Sequence, residues 1–250
     1  MIPATEIHIP EVAMAEQLEA ILSEGLDALS LPYTDDTLHR FRLFYTLLSE
    51  RSRQMNLTAI SGEADVAHLH LLDCAAVLTH YSFSGKSVLD VGSGAGFPGL
   101  VLKILCPGLD LTLLDSTQKR VQFQQEVCDT LGLNDVHCLH LRAEEAPESM
   151  RAHFDIVISR AVARLNILAE LCFPFLRQNG CFIAMKGPAA EDELQESRTA
   201  IQLLGGKEAE IIPYRVPGLD ASRTLVLSEK LRPTPARYPR RFAQIKKQPL

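Results

Sequence analysis

The chain has no tryptophan among its 250 residues, and its six cysteines never form a C-x-x-C pair. Zinc ribbons and dithiol redox centres are therefore unsupported. Most of the cysteines lie inside apolar segments and read as buried, reduced thiols, which implies a cytoplasmic protein. No run approaches the ~18 apolar residues of a membrane span. The N-terminal stretch carries Glu6, Glu11 and Glu16 with no early Lys or Arg, unlike a signal or transit peptide. Acidic residues are missing from the C-terminal end. Seven basic residues fall between Lys230 and Leu250, whereas all 31 Asp and Glu precede them. An acidic body with a basic tail points to a polyanionic partner held at one place. What the chain has in quantity is core material, at 46% hydrophobic residues. That is enough for one large domain or a domain with an appendage.

The most informative stretch is Ser87 to Ile104, SVLDVGSGAGFPGLVLKI. Val88, Leu89 and Val91 suit a buried parallel strand. Gly92, Gly94 and Gly96 make a turn whose backbone can approach a ligand closely. Pro98 sits where a helix would begin, and Leu100, Val101, Ile104 and Leu105 continue with helical spacing. Strand, glycine turn and helix form the nucleotide-binding half of a doubly wound α/β fold. Gly94, Gly96 and Gly99 also fit G-x-G-x-x-G, the dinucleotide pattern. A pyrophosphate needs free N–H groups at the helix start, however, and Pro98 removes one. Asp90 at the strand end would repel a pyrophosphate and suit a cationic ligand such as S-adenosylmethionine (AdoMet). A tight turn without a ligand is the remaining reading.

Before this unit, residues 1–80 read as a helical cap, with helices over Glu11–Leu29, from Asp35 or Asp36 through Leu48, and from Ser61 through Val77. After it, strands at 111–115, 136–141, 154–158 and 181–185 alternate with helices, which implies a parallel sheet with right-handed crossovers. Residues 211–216 and 224–227 lack an intervening helix and read as an antiparallel edge pair. The expected organisation is a cap (1–80), a Rossmann-like AdoMet-binding core (81–230) and a basic tail (231–250). Ligands in such sheets sit beyond the C-terminal strand ends. Asp115 there suits ribose hydroxyls or caps the next helix. Ala143 and Glu144 could flank an adenine, or Glu144 could simply cap a helix. Arg160 and Lys186 suit a phosphate, and Arg160 also a cofactor carboxylate, unless both are solvated surface cations. His68 and His70 have strand-ligand spacing but fall in a helical pattern, so no metal site is expected.

Taken together, several pieces resemble the RsmG (GidB) methyltransferases. They are Asn56-Leu57-Thr58-Ala59-Ile60, His70-x-x-Asp73, Leu89 to Gly99, Asp115-Ser116-x-x-Lys119-Arg120 and Arg142-Ala143-Glu144. Ser159-Arg160-Ala161, Lys186-Gly187, Tyr238-Pro239-Arg240-Arg241 and the closing Pro249-Leu250 complete the set. The resemblance implies a class I methyltransferase acting on N7 of a guanine in bacterial 16S ribosomal RNA, free or in the small subunit, as a monomer. It implies AdoMet contacts from Gly92, Phe97, Ala143-Glu144 and Arg160, with Gly94 in the same turn. The RNA contacts expected on charge are Arg160, Lys186, Arg240 and Arg241, unless the tail is partly buried against the sheet edge with Tyr238 and Phe242 as anchors. The chain departs from the family at Arg51-Ser52, where Trp-Asn is usual, and at Cys74, where Ser is common. Ser159-Arg160-Ala161-Val162 replaces the Asn/Asp-Pro-Pro-aromatic motif of exocyclic-amine methylation, and no loop cysteine follows a strand as pyrimidine C5 methylation requires. Guanine N7 has an exposed lone pair, so no general base is expected and catalysis would come from positioning. The competing readings are a small-molecule AdoMet methyltransferase, a dinucleotide-dependent oxidoreductase and an RNA-binding module with a dead cofactor fold.

Overall fold

The computed structural model describes residues 11–55, 57–160 and 163–250. Asn56, Ala161 and Val162, quoted above within motifs, lie outside the described residues, as do Met1–Pro10.

Val88 to Val91 are all buried, because β1 (Ser87–Val91) sits in the middle of the sheet with both faces covered. Seven strands are ordered β3-β2-β1-β4-β5-β7-β6, where β2 is Asp110–Asp115, β3 Val136–His140, β4 Phe154–Arg160, β5 Leu176–Lys186, β6 Glu210–Arg215 and β7 Ser222–Glu229. β1 to β5 pair in parallel, and β7 runs antiparallel to both β5 and β6, as the lack of a helix between β6 and β7 predicts. The strand order reverses between β1 and β4, which opens the ligand crevice of such sheets beyond their carboxyl ends.

Alternate strand residues supply two cores. Val88, Leu111, Leu113, Ile156 and Ile183 face α1 (Glu11–Ala28), α2 (Asp35–Met55) and the helices that follow β1 and β2, namely α5 (Gly99–Leu105) and α6 (Gln118–Leu131). Leu89, Val91, Val157, Phe182 and Ala184 face α7 (Leu165–Cys172), α8 (Ala190–Leu203) and the C-terminal segment. The cap shares the first core: Leu18, Leu22, Phe41 and Phe44 are buried in one cluster with sheet residues. Arg51, at the departure from the family, forms an ion pair with Glu126 of α6 and so joins cap to core.

Two expectations change. The helix expected over Ser61–Val77 is segmented: α3 (Glu63–Val66), a π-helical turn (Ala67–Leu72), α4 (Asp73–Ala75) and a 3₁₀ turn (Ala76–Thr79). Apolar spacing cannot distinguish α from π turns, and single π turns concentrate at functional sites. β5 begins five residues early, at Leu176. It pairs Leu176 with Phe154, loops out extra residues and resumes with Cys181 opposite Ile156. Asn179 has φ +63°, and a Cβ at Gly180 would stand 2.9–3.1 Å from three carbonyl oxygens, so the Asn179-Gly180 turn lies inside the strand rather than before it. Of the two readings of the basic tail, the structure takes the docked one, though with Tyr238 and not the exposed Phe242 as anchor. Tyr238 and Ile245 are buried in the second core, and residues Phe242–Lys247 form α9. Lys230, which opens the basic segment, is buried with Nζ donating to the Phe173 (2.6 Å) and Leu176 (3.1 Å) carbonyls. Burial pushes its pKa down to about 8.

Candidate active site

The turn after β1 is held from behind by β2. Gly92 N–H donates to the Leu114 carbonyl at 2.8 Å, and Gly94 N–H donates to Asp115 Oδ2 at 2.9 Å. Gly92, Gly94 and Gly96 have φ of +73°, +59° and +94°, which side-chain-bearing residues rarely adopt. The Gln124 amide fixes the turn from α6, donating to Ser93 Oγ (2.9 Å) and the Gly94 carbonyl (2.8 Å). In front of the turn lies a cavity of about 700 Å³, within the usual range for small-molecule sites. Gly92, Gly94, Phe97, Asp115, Ala143, Glu144, Arg160 and Lys186 all line it, so the sequence-derived rim residues converge.

Asp90 does not join them. It shares a face with Val88, beneath α5, where Oδ2 accepts the Gly99 N–H at 2.8 Å and Oδ1 has no hydrogen-bond partner. Burial pushes its pKa up to about 7. The carboxylate braces the start of α5 and cannot meet a cationic ligand, so the ligand reading rests on the other residues. Gly99 is required for this contact, because a Cβ there would lie 2.9 Å from Asp90 Oδ2 and 2.4 Å from Leu113.

Asp115 does not cap α6 directly but holds the residue that does. Oδ1 accepts the N–H of Thr117, the N-cap of α6, at 2.8 Å, while Oδ2 holds Gly94. A carboxylate offers about four acceptor sites, so capacity for ribose hydroxyls remains. Ala143 is buried in a 3₁₀ turn, beside Glu144, whose side chain lies 3.9 Å from Arg142.

Arg160, at the end of β4, is the most tightly held rim residue. Nη1 donates to the Leu69 carbonyl (3.1 Å) of the π-helical turn and to Asp73 Oδ2 (3.3 Å), and Nη2 donates to His70 Nδ1 (2.8 Å). Three of its five N–H groups are thus engaged, and the side chain is 16% exposed to the cavity. His70 also meets Thr58 Oγ1 at 2.9 Å through Nε2. Burial and the Arg160 charge push its pKa down to about 3, so the imidazole is neutral. Phe97 stacks with both Phe44 (5.2 Å between centroids) and His70 (4.5 Å), with the Arg160 guanidinium 5.1 Å from its ring centre.

Two expected RNA contacts are otherwise engaged. Lys186 Nζ donates to the Ala163 carbonyl (2.6 Å) and to Glu193 (2.8 Å), which neutralises it at the cavity wall. Arg240 lies outside the cavity lining and is bound to the fully buried Glu170, so this geometry does not fit an RNA-facing side chain. Arg241 is exposed at the N-cap of α9. Sequence reading did not single out Tyr214, Arg223 or Phe242 as cavity residues, and it gave Thr58 and Asp73 no site role. Thr58 and Asp73 carried a motif signal only, in Asn56-Leu57-Thr58-Ala59-Ile60 and His70-x-x-Asp73. Tyr214 and Arg223 arrive through the long-range pairing of the edge hairpin, which leaves no local pattern.

The family described as rRNA small subunit methyltransferase G (GidB) matches residues 37–219. The ribosomal RNA small subunit methyltransferase G of Clostridium perfringens is 39% identical over 92% of this chain and 98% of its own length. That of Alkaliphilus metalliredigens is 41% identical over the same shares. The chain belongs to this family. Membership makes it a methyltransferase and favours that reading over an oxidoreductase. Solved structures agree on the fold. A methyltransferase from Pyrococcus furiosus superposes with a TM-score of 0.54 at 14% identity, covering 76% of this chain and 98% of that one. A SAM-dependent methyltransferase from Aquifex aeolicus gives 0.51 at 19% identity, covering 75% and 97%.

Proposed function

We propose that this chain methylates N7 of one guanine in the 16S ribosomal RNA of the small ribosomal subunit, with AdoMet as methyl donor. The observation that carries the reading is the family match across residues 37–219, whose span includes the whole glycine turn, Asp115, Ala143-Glu144 and Arg160. The residues present fit AdoMet. A turn with glycine at 92 and 94 opens on a cavity large enough for it, a carboxylate stands at the β2 end, and a small residue precedes a carboxylate in the next loop. Gly92 and Gly94 would lie along the amino-acid portion, Asp115 beneath the ribose, Ala143 and Glu144 at the adenine, and Phe97 and Arg160 near the reacting end. When bound, the cofactor supplies a sulfonium-activated methyl group.

The protein's part is positioning. The N7 lone pair is already free, so no residue has to remove a proton, and holding the reactants in line is worth up to about 7–11 kcal/mol in well-aligned cases. We infer a monomer, and a ribosomal RNA substrate supports a cytoplasmic location. No helix among the described residues is long and apolar enough to cross a membrane. The test is nucleoside mapping of 16S RNA from a deletion strain, with and without complementation. A 7-methylguanosine that disappears on deletion and returns with the gene is expected. RNA with an unchanged methylation pattern would overturn the reading in favour of a small-molecule substrate.

A further inference from the structure

Two guanidinium groups share one carboxylate at the cap end of the cavity. Asp73 Oδ2 pairs with Arg160 Nη1 at 3.3 Å. Its Oδ1 pairs with Arg223 Nε at 3.3 Å and accepts the Tyr214 hydroxyl at 2.8 Å. Tyr214 and His70 add no charge, since burial raises the phenol's pKa and lowers the imidazole's. Asp90 lies apart beneath α5, where burial favours its neutral form. The other cations lining the cavity are matched singly: Lys186 by Glu193, Arg120 by Asp115 at 3.6 Å, and Arg142 by Glu144 at 3.9 Å. Among the described residues, the surplus positive charge of the cavity therefore sits at Arg160 and Arg223. Arg223 is also held in place by the backbone. It stands on β7 opposite Tyr214 of β6, so the hairpin delivers both groups to Asp73 together.

We infer that Arg223, together with Arg160, binds the RNA phosphodiester adjacent to the target guanosine. This rests on the rRNA-methylating function proposed above and names how that substrate is gripped. One phosphodiester carries the single negative charge that balances the cluster, and a guanidinium fork matches two phosphate oxygens. Arg223 is partly exposed (23% for its side chain), so it can turn N–H groups to a ligand while keeping Asp73.

The experiment compares full-length Arg223→Gln, Arg223→Lys and Tyr214→Phe with wild type for 16S RNA binding across a salt series, AdoMet titration and methyl transfer. Arg223→Gln is expected to weaken RNA binding about 10- to 150-fold, as loss of a charged hydrogen-bond partner does. It should flatten the slope of log K against log salt by about 0.7–0.9 and leave AdoMet affinity unchanged. Arg223→Lys should keep the slope. Tyr214→Phe disturbs the same hairpin without changing charge and should keep it too. An Arg223→Gln variant with the wild-type slope overturns the assignment. So does one that loses AdoMet affinity with the slope intact, because the anion would then be the cofactor carboxylate. A wild-type chain that transfers no methyl group to RNA overturns the functional reading and this assignment with it. Active wild type with an unchanged slope in Arg223→Gln overturns this assignment alone.

Discussion

Replacing Arg240 with Ala leaves Glu170 as a carboxylate with no solvent exposure and a single donor. In the native chain Oε1 accepts both the Arg240 backbone N–H and Nε at 2.8 Å, and Oε2 accepts Nη2 at 2.5 Å. The substitution deletes two of these bonds and the counter-charge but keeps the backbone donor. Removing one partner of a buried ion pair costs about 3–5 kcal/mol. The lower end applies here, because the backbone N–H remains and water can reach the site through the space left by a side chain already 15% exposed. For a chain of this size each kcal/mol moves Tm by about 2–4 °C, so a loss of about 3 kcal/mol lowers it by about 6–12 °C. Calorimetric melting of Arg240→Ala beside Arg241→Ala checks this, since the exposed Arg241 should change stability by no more than about 0.5 kcal/mol. Adding Glu170→Gln to Arg240→Ala should recover much of the loss by removing the stranded charge. An Arg240→Ala protein with native Tm but weakened RNA binding would refute the structural role and return Arg240 to the RNA surface.

Gly92→Val should abolish AdoMet binding in a calorimetric titration, because a β-branched residue is strained at φ +73° and projects from the cavity-lining turn. Native affinity would show that the turn does not touch the cofactor. Single-turnover methyl transfer with both substrates saturating should be nearly flat with pH around neutrality. N7 carries no proton to remove, His70 stays neutral with its pKa near about 3, and Arg160 stays charged. A rising limb that vanishes when Asp115 or Glu144 is replaced would mean that the attacking atom is protonated. Asp90 makes a separate prediction through stability. Its folded pKa, raised to about 7, means that protonation favours the folded state, so its contribution is present at low pH and lost as pH rises from about 4 to about 7. The Tm advantage of Asp90→Asn over wild type should grow across that window and level off above it. An advantage that does not vary with pH would show that Asp90 is ionised throughout.

Local pattern carried most of the fold. Alternation of apolar runs with turn residues gives the parallel strands, and Gly132 marks the end of α6, where it adopts φ +61°. Side-chain direction was harder to read. From sequence, Asp90 and Asp115 look alike, each an acid at the end of an apolar strand. One turns under α5 and the other toward the glycine turn, because they fall on different strands with different neighbours above them. The basic tail left two readings open for a related reason. Charge density is visible in sequence, but a buried partner such as Glu170, 70 residues away, is not. Arg223 had no local signature at all, since its meaning comes from Asp73, which reaches it only through the folded hairpin.

Phe97 belongs to the glycine turn, yet its ring stacks with Phe44 of the cap and with His70, which also holds Arg160. On the proposed function, that ring would join the turn that holds the cofactor to the arginine that meets the nucleic acid. A ligand that shifts Phe97 would then alter the grip on the other ligand, and thermodynamic reciprocity requires the two effects to be equal. If AdoMet tightens RNA binding by some factor, RNA must tighten AdoMet by the same factor, and trimming the ring with Phe97→Leu should shrink both together. Such coupling would hold the enzyme on its substrate when charged with a methyl group and loosen it once that group is spent.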